Sequence, residues 1–191
     1  MKKGRLEAFS DGVIAIIITI MVLELKVPHG ADWANLQELA PVFICYVLSF
    51  INVGIYWNNH HHLFQSVDSV NGKTLLFNLN LLFWLSLMPF TTGWMGENHF
   101  ASLPVLLYGL NCLMCAFAYF LLSKSLLSHH GKDSAIAEAL GTTRKEYISL
   151  LFLVIGVLTA MSAPFVAFGF YVAVVVIWAI PDRRIEKRLA K

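Results

Sequence analysis

The sequence predicts an all-α integral membrane protein with six transmembrane helices. Of its 191 residues, 58% are hydrophobic and only 14% are charged, and the mean hydropathy is +0.67. Soluble domains carry about 25% charged residues, so this chain lacks the polar surface that such a domain needs. The apolar residues fall into stretches close to the roughly 20 residues that a helix needs to cross a bilayer. A single six-helix transmembrane unit over residues 1–191 is therefore expected.

The six predicted helices use nearly the whole chain. They cover residues of about 5–25, 38–59, 73–95, 102–123, 145–163 and 165–181. Ser162-Ala163-Pro164 separates the last two. Proline removes a backbone donor and breaks the helical ladder, and one helix of roughly 35 residues would exceed the bilayer. A tight re-entry at Pro164 is therefore expected.

The loop charges support this topology. Cytoplasmic loops collect Lys and Arg. With both termini inside, thirteen basic residues lie inside and only Lys26 lies outside. The thirteen are Lys2, Lys3, Arg5, Lys73, Lys124, Lys132, Arg144, Lys145, Arg183, Arg184, Lys187, Arg188 and Lys191. Trp33 and Trp94 then mark the outer interface, and Trp57 and Trp178 the inner one.

Two other interpretations of the composition are disfavoured. Residues 1–25 resemble a signal peptide, but Glu7 and Asp11 interrupt the apolar run and no small-x-small cleavage site follows. Cys112 and Cys115 have the spacing of a redox motif, but both lie within a predicted span and, like Cys45, are interpreted as packing residues. The net charge of +2 reflects topology and indicates no nucleic-acid partner.

Polar groups from three helices are expected in one inner layer. Ser10 and Asp11 lie about two turns into the first helix, residues 58–62 (Asn-Asn-His-His-His) end the second, and Asn78 and Asn80 lie near the start of the third. A carboxylate in a membrane costs about 2.5–3.5 kcal/mol unless it finds partners, so Asn amides and His imidazoles are expected to pair with Asp11.

This cluster leaves three interpretations open: a hydrogen-bonded knot that fixes helix packing, a proton relay, or a metal site. Consecutive helix positions point about 100° apart, so His60, His61 and His62 cannot converge on one ion, and no metal is expected. The packing knot is favoured. His129 and His130 are expected to be solvated in an inner loop.

One face of the first helix carries a stripe of mostly apolar side chains. At 100° per residue the stripe comprises Arg5, Phe9, Gly12, Ile16, Thr19, Ile20 and Leu23. Asp11 points about 140° away from Ile16, toward the neighbouring helices. The pattern by itself does not distinguish a lipid-facing stripe from a pore-facing one.

The segment Arg5-x-x-x-Phe9-Ser10-Asp11 resembles the signature of the lysosomal and prokaryotic potassium channel family, transmembrane protein 175. The similarity continues through Gly12-Val13-Ile14-Ala15-Ile16 and Leu23-Glu24-Leu25, and through Tyr56-Trp57-x-x-His60-His61 on the second helix. Together with the six-helix count it covers essentially the whole chain.

The resemblance implies a potassium-permeable channel without a Thr-Val-Gly-Tyr-Gly filter loop, which this chain also lacks. It implies a pore lined by the first helix, with the constriction at Ile16 and with Ile20 and Leu23 further out. Thr19 would add a hydroxyl ring linked to potassium preference. The anchors of the pore helix would be Arg5, Phe9, Ser10 and Asp11, with His60 and Asn78 as their partners.

One stripe cannot enclose a pore, so the unit must oligomerise. Animal members of the family carry two copies of the six-helix repeat and this chain has one, so a homotetramer in the membrane of a prokaryotic cell is expected. Potassium is the permeating ion and no cofactor is implied.

Two rival functions are weaker. A proton-conducting or proton-coupled transporter would use Asp11 and His60, but coupled transporters usually contain an internal repeat and none is visible. A membrane-embedded enzyme lacks support, because the sequence shows neither a metal-spaced ligand set nor a nucleophile–base pair.

Overall fold

A computed structural model describes residues 2–131, 134, 136–137 and 144–179. These residues form helices and connecting turns, with no strand among them beyond an isolated bridge between Lys2 and Ser69. The helices are α1 (Gly4–Leu23), α2 (Trp33–Gln37), α3 (Ala40–Gln65), α4 (Gly72–Ser86), α5 (Met88–Glu97), α6 (Ser102–His130), α7 (Arg144–Thr159) and α8 (Pro164–Ala179).

Four helical segments of the described chain are long and apolar enough to cross a membrane. They are α1, α3, the combined α4–α5 segment Gly72–Glu97, and α6. α7 and α8 have 16 residues each, which corresponds to about 24 Å against a hydrocarbon core of about 30 Å. The described chain is thus all-helical with four candidate membrane spans, and the fifth and sixth spans stay predictions.

The third predicted helix, residues 73–95, is divided in two. Leu87 interrupts it, and the Leu87 amide donates to the Trp84 carbonyl three residues back instead of four. Pro89 supplies the reason, because a proline in the first turn of α5 has no amide hydrogen to continue the ladder from α4. The predicted span over residues 73–95 therefore corresponds to the combined segment Gly72–Glu97, with a break at Leu87 that was not predicted.

Several predicted boundaries also shift. α3 continues to Gln65, so His60–His62 are helical, and α6 continues to His130. His129 and His130 therefore occupy the last turn of a helix, where the His130 ring bonds to the Ser69 carbonyl at 2.9 Å, and their placement in a loop was wrong. The five-residue helix α2 was not predicted.

The turn between α7 and α8 does agree with the sequence. α7 ends at Thr159 and α8 begins at Pro164, and the two helices pack on each other. The predicted end of the sixth helix at residue 181 lies outside the described residues. So do the C-terminus and the basic residues Lys132, Arg183, Arg184, Lys187, Arg188 and Lys191.

The position of the first helix is fixed by its buried side. Leu6, Ser10, Ile14, Ile17 and Met21 are buried at intervals of three or four residues, which is one face of a helix. This face packs against α3, α4 and α5.

The two ends of the bundle differ in charge. At one end the Lys3 ammonium donates to the Phe64 carbonyl at 2.6 Å, and Lys73 and Lys124 lie on the nearby ends of α4 and α6. At the opposite end Lys26 pairs with Glu97, whose carboxylate raises the pKa of that lysine. This asymmetry agrees with the predicted inner and outer sides.

Candidate functional site

A buried hydrogen-bond chain connects α3, α4 and α1. The His60 Nε2 lies 2.8 Å from the Asn78 Oδ1, and the Asn78 Nδ2 donates to the Ser10 Oγ at 2.9 Å. The Ser10 hydroxyl in turn donates to the Leu6 carbonyl at 2.8 Å. Because the amide oxygen is an acceptor, the His60 Nε2 carries the hydrogen. All three side chains are buried, so the chain satisfies groups that water does not reach.

Asp11 has a different partner from the one expected. The Trp57 Nε1 donates to the Asp11 Oδ1 at 3.0 Å, and the prediction of an Asn or His donor was wrong. Ser10 and Asp11 are adjacent and point about 100° apart, so the serine takes the position facing Asn78. The Trp57 ring also stacks on His61, with centroids 5.8 Å apart.

The sequence contained the donor for this contact, Trp57, but the tryptophan was assigned a different role. Trp57 was expected to mark the membrane interface. An indole is also a donor with no acceptor nitrogen, which suits a carboxylate near the membrane boundary.

The stripe on α1 is left uncovered by the rest of the described chain. Phe9, Ile16, Ile20 and Leu23 are 53%, 58%, 41% and 76% exposed. Arg5, Gly12 and Thr19 on the same face are exposed as well. The division into a buried face with Ser10 and an open face with Ile16 matches the helical periodicity.

Thr19 is oriented by its own helix. Its hydroxyl donates to the Ile16 carbonyl at 2.9 Å, so the hydrogen points toward the backbone. The oxygen lone pairs are then free to accept from water or to contact a cation.

Arg5 and Phe9 do not anchor α1 within the described chain. Both are exposed, and the N-terminal end of α1 is instead tied to the end of α3 by Lys3, whose Nζ also lies 3.9 Å from the Glu7 Oε1. The anchoring role that the resemblance implies for Arg5 and Phe9 would therefore require another subunit.

A second buried polar cluster was missed by the sequence analysis. The Thr92 hydroxyl donates to the Ser49 Oγ at 2.7 Å, and the Ser49 hydroxyl donates to the Tyr108 Oη at 3.1 Å. These residues join α5, α3 and α6 and carry no charge. Isolated Ser, Thr and Tyr in apolar runs give no signal of which helices will meet.

The described residues contain no group of three or more His, Cys, Asp or Glu side chains arranged to hold a metal ion. Cys45, Cys112 and Cys115 are buried and free of disulfides. Cys45 and Cys115 are therefore buried packing residues, whereas the Cys112 Sγ also accepts from the Asn52 Nδ2 at 3.8 Å.

The fold is that of a membrane channel. The chain is similar in structure to a lysosomal potassium-selective channel TMEM175 homolog from Chamaesiphon minutus, with a TM-score of 0.80 and 26% identity. The match covers 93% of this chain and 96% of that one.

Sequence relatives identify the family. The profile described as endosomal/lysosomal potassium channel TMEM175 matches residues 5–89. A potassium channel of Chryseobacterium sp. (strain P1-3) is 58% identical over 189 residues, which is 99% of this chain and 98% of that protein. The endosomal/lysosomal proton channel TMEM175 of Gallus gallus is 34% identical over 101 residues, covering 47% of this chain and 20% of the animal protein.

The chain belongs to the TMEM175 family. Its relatives are ion channels and not enzymes, which removes the membrane-embedded enzyme from consideration.

Proposed function

We propose that the protein is a potassium-permeable cation channel whose pore is lined by α1 from four identical subunits. The observation that carries the proposal is the uncovered stripe on α1, which the chain's own helices do not shield. The relatives named potassium channels support potassium as the permeating ion.

The assembly follows from the geometry of one stripe. A single helix face cannot surround an ion, whereas closed cyclic symmetry places the same face of every subunit around one axis. Four copies of this one-unit chain contain as many six-helix units as two copies of the two-repeat chain that the resemblance implies for animal members. Arg5 and Phe9, open in one chain, would then lie where neighbouring subunits meet.

The stripe would form a hydrophobic constriction. Along α1, Ile20 and Leu23 lie about 6 Å and about 10 Å beyond Ile16 at 1.5 Å per residue. Rings of these side chains would make a narrow and poorly wetted segment that can gate by dewetting. Potassium sheds its hydration shell at lower cost than sodium, so such a segment favours potassium without carbonyl ligands.

Thr19 would supply the polar contact within this segment. It lies one turn from Ile16 on the same face, with its oxygen oriented outward by the hydrogen bond to the backbone. A ring of these oxygens would replace part of the water that the ion loses.

The proposed topology has six spans and both ends in the cytoplasm, in the plasma membrane of a prokaryotic cell. The charge difference between the two ends of the bundle supports the direction of α1. The close bacterial relatives support the origin.

Proton conduction is a second candidate. The animal relatives that match about half of this chain are called proton channels. Asp11 and His60 are the titratable groups that would carry it. The two candidates are compatible, because one pore can pass both ions.

Flux into liposomes tests the proposal. The purified protein is reconstituted with a potassium gradient, and wild type is compared with Ile16→Asn, which introduces amides into the constriction. We expect potassium flux in wild type and higher or less selective flux in the variant. Ile51→Asn is the matched control, since Ile51 is 40% exposed on α3 and lies outside the stripe.

Two outcomes would contradict the proposal. Absence of potassium flux in wild type, with the protein folded and tetrameric, would reject the channel. Equal effects of Ile16→Asn and Ile51→Asn would reject the constriction. The same vesicles under a pH gradient measure proton flux separately, with Asp11→Asn and His60→Gln as its variants.

A further inference from the structure

A basic groove lies between α4 and α6 at the end of the bundle that carries most of the lysines. It has a volume of about 300 Å³, and its lining includes Asn71, Lys73, Phe77, Lys124, Ser128 and His129. None of these residues takes part in the hydrogen-bond chain or the stripe described above. The groove therefore needs a separate explanation.

Each of the two lysines lies over an aromatic ring, and one of these rings, Phe77, lines the groove. The Lys73 Nζ is 5.7 Å from the centroid of Phe77, and the Lys124 Nζ is 5.4 Å from that of Phe120. Lysines near a membrane boundary lay their carbon stems along apolar surface and place the ammonium at headgroup level. Both side chains are exposed, so their charges are available to a ligand.

The charge of the groove is uncompensated by its own lining. None of its lining residues is a carboxylate. Glu146 at the start of α7 lies within electrostatic range of Lys124 but does not line the groove. With two ammonium groups and an imidazole, the groove is complementary to an anion.

The floor of the groove is held rigid by neutral hydrogen bonds. The Thr74 and Ser125 hydroxyl oxygens lie 3.1 Å apart across α4 and α6, and the Asn71 side chain caps α4 by accepting from the Thr74 amide at 2.9 Å. Positioned groups bind with less loss of conformational freedom than mobile ones. The positive end of the α4 dipole adds to the attraction for an anion.

Part of the groove wall, next to the lysines, is apolar. Phe77 and Leu121 line the groove, and Leu76 beside them is 69% exposed. A soluble phosphate would leave this surface uncovered, whereas an acyl chain would cover it. A phosphodiester attached to acyl chains fits both halves of the site.

We propose that this groove binds an anionic phospholipid, with its phosphate between Lys73 and Lys124 and its acyl chains along Phe77 and Leu121. Basic pockets between transmembrane helices on the cytoplasmic side are known sites for anionic headgroups. The inference does not depend on which ion the protein conducts. It does connect lipid to α1, because Asn78, one position beyond Phe77, donates to Ser10.

Native mass spectrometry and thermal unfolding test the site. The full-length protein is placed in nanodiscs of phosphatidylcholine with or without phosphatidylglycerol, and wild type is compared with Lys73→Gln/Lys124→Gln. We expect wild type to retain phosphatidylglycerol and to unfold at a higher temperature in its presence. The double variant should lose this preference by on the order of 10- to 30-fold.

The matched control is Lys2→Gln/Arg144→Gln, which removes the same charge from exposed basic positions outside the groove. It should keep the preference for phosphatidylglycerol. An equal loss of the phosphatidylglycerol preference in this control would show that the preference comes from the overall surface charge. That result would overturn the proposal. Equal retention in the groove variant, shown to be folded by its unfolding transition in phosphatidylcholine, would overturn it as well.

Soluble glycerol phosphate and inorganic phosphate provide the remaining comparison. Stabilisation of wild type in phosphatidylcholine nanodiscs by either of them, equal to that by phosphatidylglycerol, would show a phosphate site in place of a lipid site. No such stabilisation is expected.

Discussion

At the scale of single residues, the hydroxyl hydrogen of Thr19 points toward the backbone of α1, and its oxygen is open on the exposed face of the helix. Its hydroxyl donates to the Ile16 carbonyl, and this bond fixes which side of the oxygen remains open. A group held in this way can contact a cation without first breaking a bond that it needs.

Thr19→Ala should lower the potassium-to-sodium permeability ratio. Removing one positioned hydroxyl per subunit loses about 1 kcal/mol of the stabilisation of potassium relative to sodium. The permeability ratio is therefore expected to decrease by about fivefold. Reversal potentials under bi-ionic conditions measure the ratio. Thr19→Ser keeps the oxygen and should preserve it, and unchanged reversal potentials in Thr19→Ala would remove Thr19 from the selectivity assignment.

Residue-level prediction succeeded where helix periodicity alone decides the outcome. The exposed side of α1 and the depth of Ser10, His60 and Asn78 follow from counting residues at 100° and 1.5 Å each. The choice of Trp57 as the partner of Asp11 depends on how two helices rotate against each other. That rotation is set by packing across the whole interface, which no local pattern encodes.

At the scale of helices, close approach of α3 and α5 depends on a glycine. A Cβ added at Gly96 would lie 2.6 Å from the Val42 Cα, which is backbone and cannot rotate away. Small residues at such crossings let membrane helices approach and pack. The same approach brings Thr92 to Ser49.

Gly96→Ala should therefore destabilise the protein by about 1–3 kcal/mol, the usual cost of overpacking. Gly54→Ala is the control, because a Cβ at Gly54 on α3 meets no atom within 4 Å. Thermal unfolding in detergent should show a lower midpoint for Gly96→Ala alone. Equal midpoints for the two variants would contradict the close approach.

The helices themselves were largely predictable, and their ends were not. Apolar stretches predicted the positions of α1, α3, α6 and the α7–α8 pair. The extensions of α3 to Gln65 and α6 to His130 pass through polar residues that resemble loops in sequence. The last turn of α6 is held by a contact with the segment that follows α3, because the His130 ring bonds to the Ser69 carbonyl.

At the scale of the whole molecule, the distribution of lysines assigns an orientation. Lys3, Lys73 and Lys124 share one end of the bundle, and Lys26 lies at the other in an ion pair with Glu97. The positive-inside tendency favours the cytoplasmic location that we propose for the first end.

Cysteine labelling measures this orientation directly. Val27 is 82% exposed after α1, and Asp68 is exposed between α3 and α4. A membrane-impermeant maleimide added to intact cells should label Val27→Cys, and should label Asp68→Cys only after permeabilisation. The unsubstituted protein is the control, since its three cysteines are buried; the reverse pattern would invert the proposed topology.

The stripe on α1 also has a genetic consequence. Its residues face away from the chain that carries them, so in the proposed assembly each ring of the pore contains one side chain from every subunit. In a cell that makes both a normal chain and one altered at Ile16, most mixed assemblies contain at least one altered subunit. Alleles that change this face should therefore be dominant, whereas alleles that only unfold the chain should be recessive.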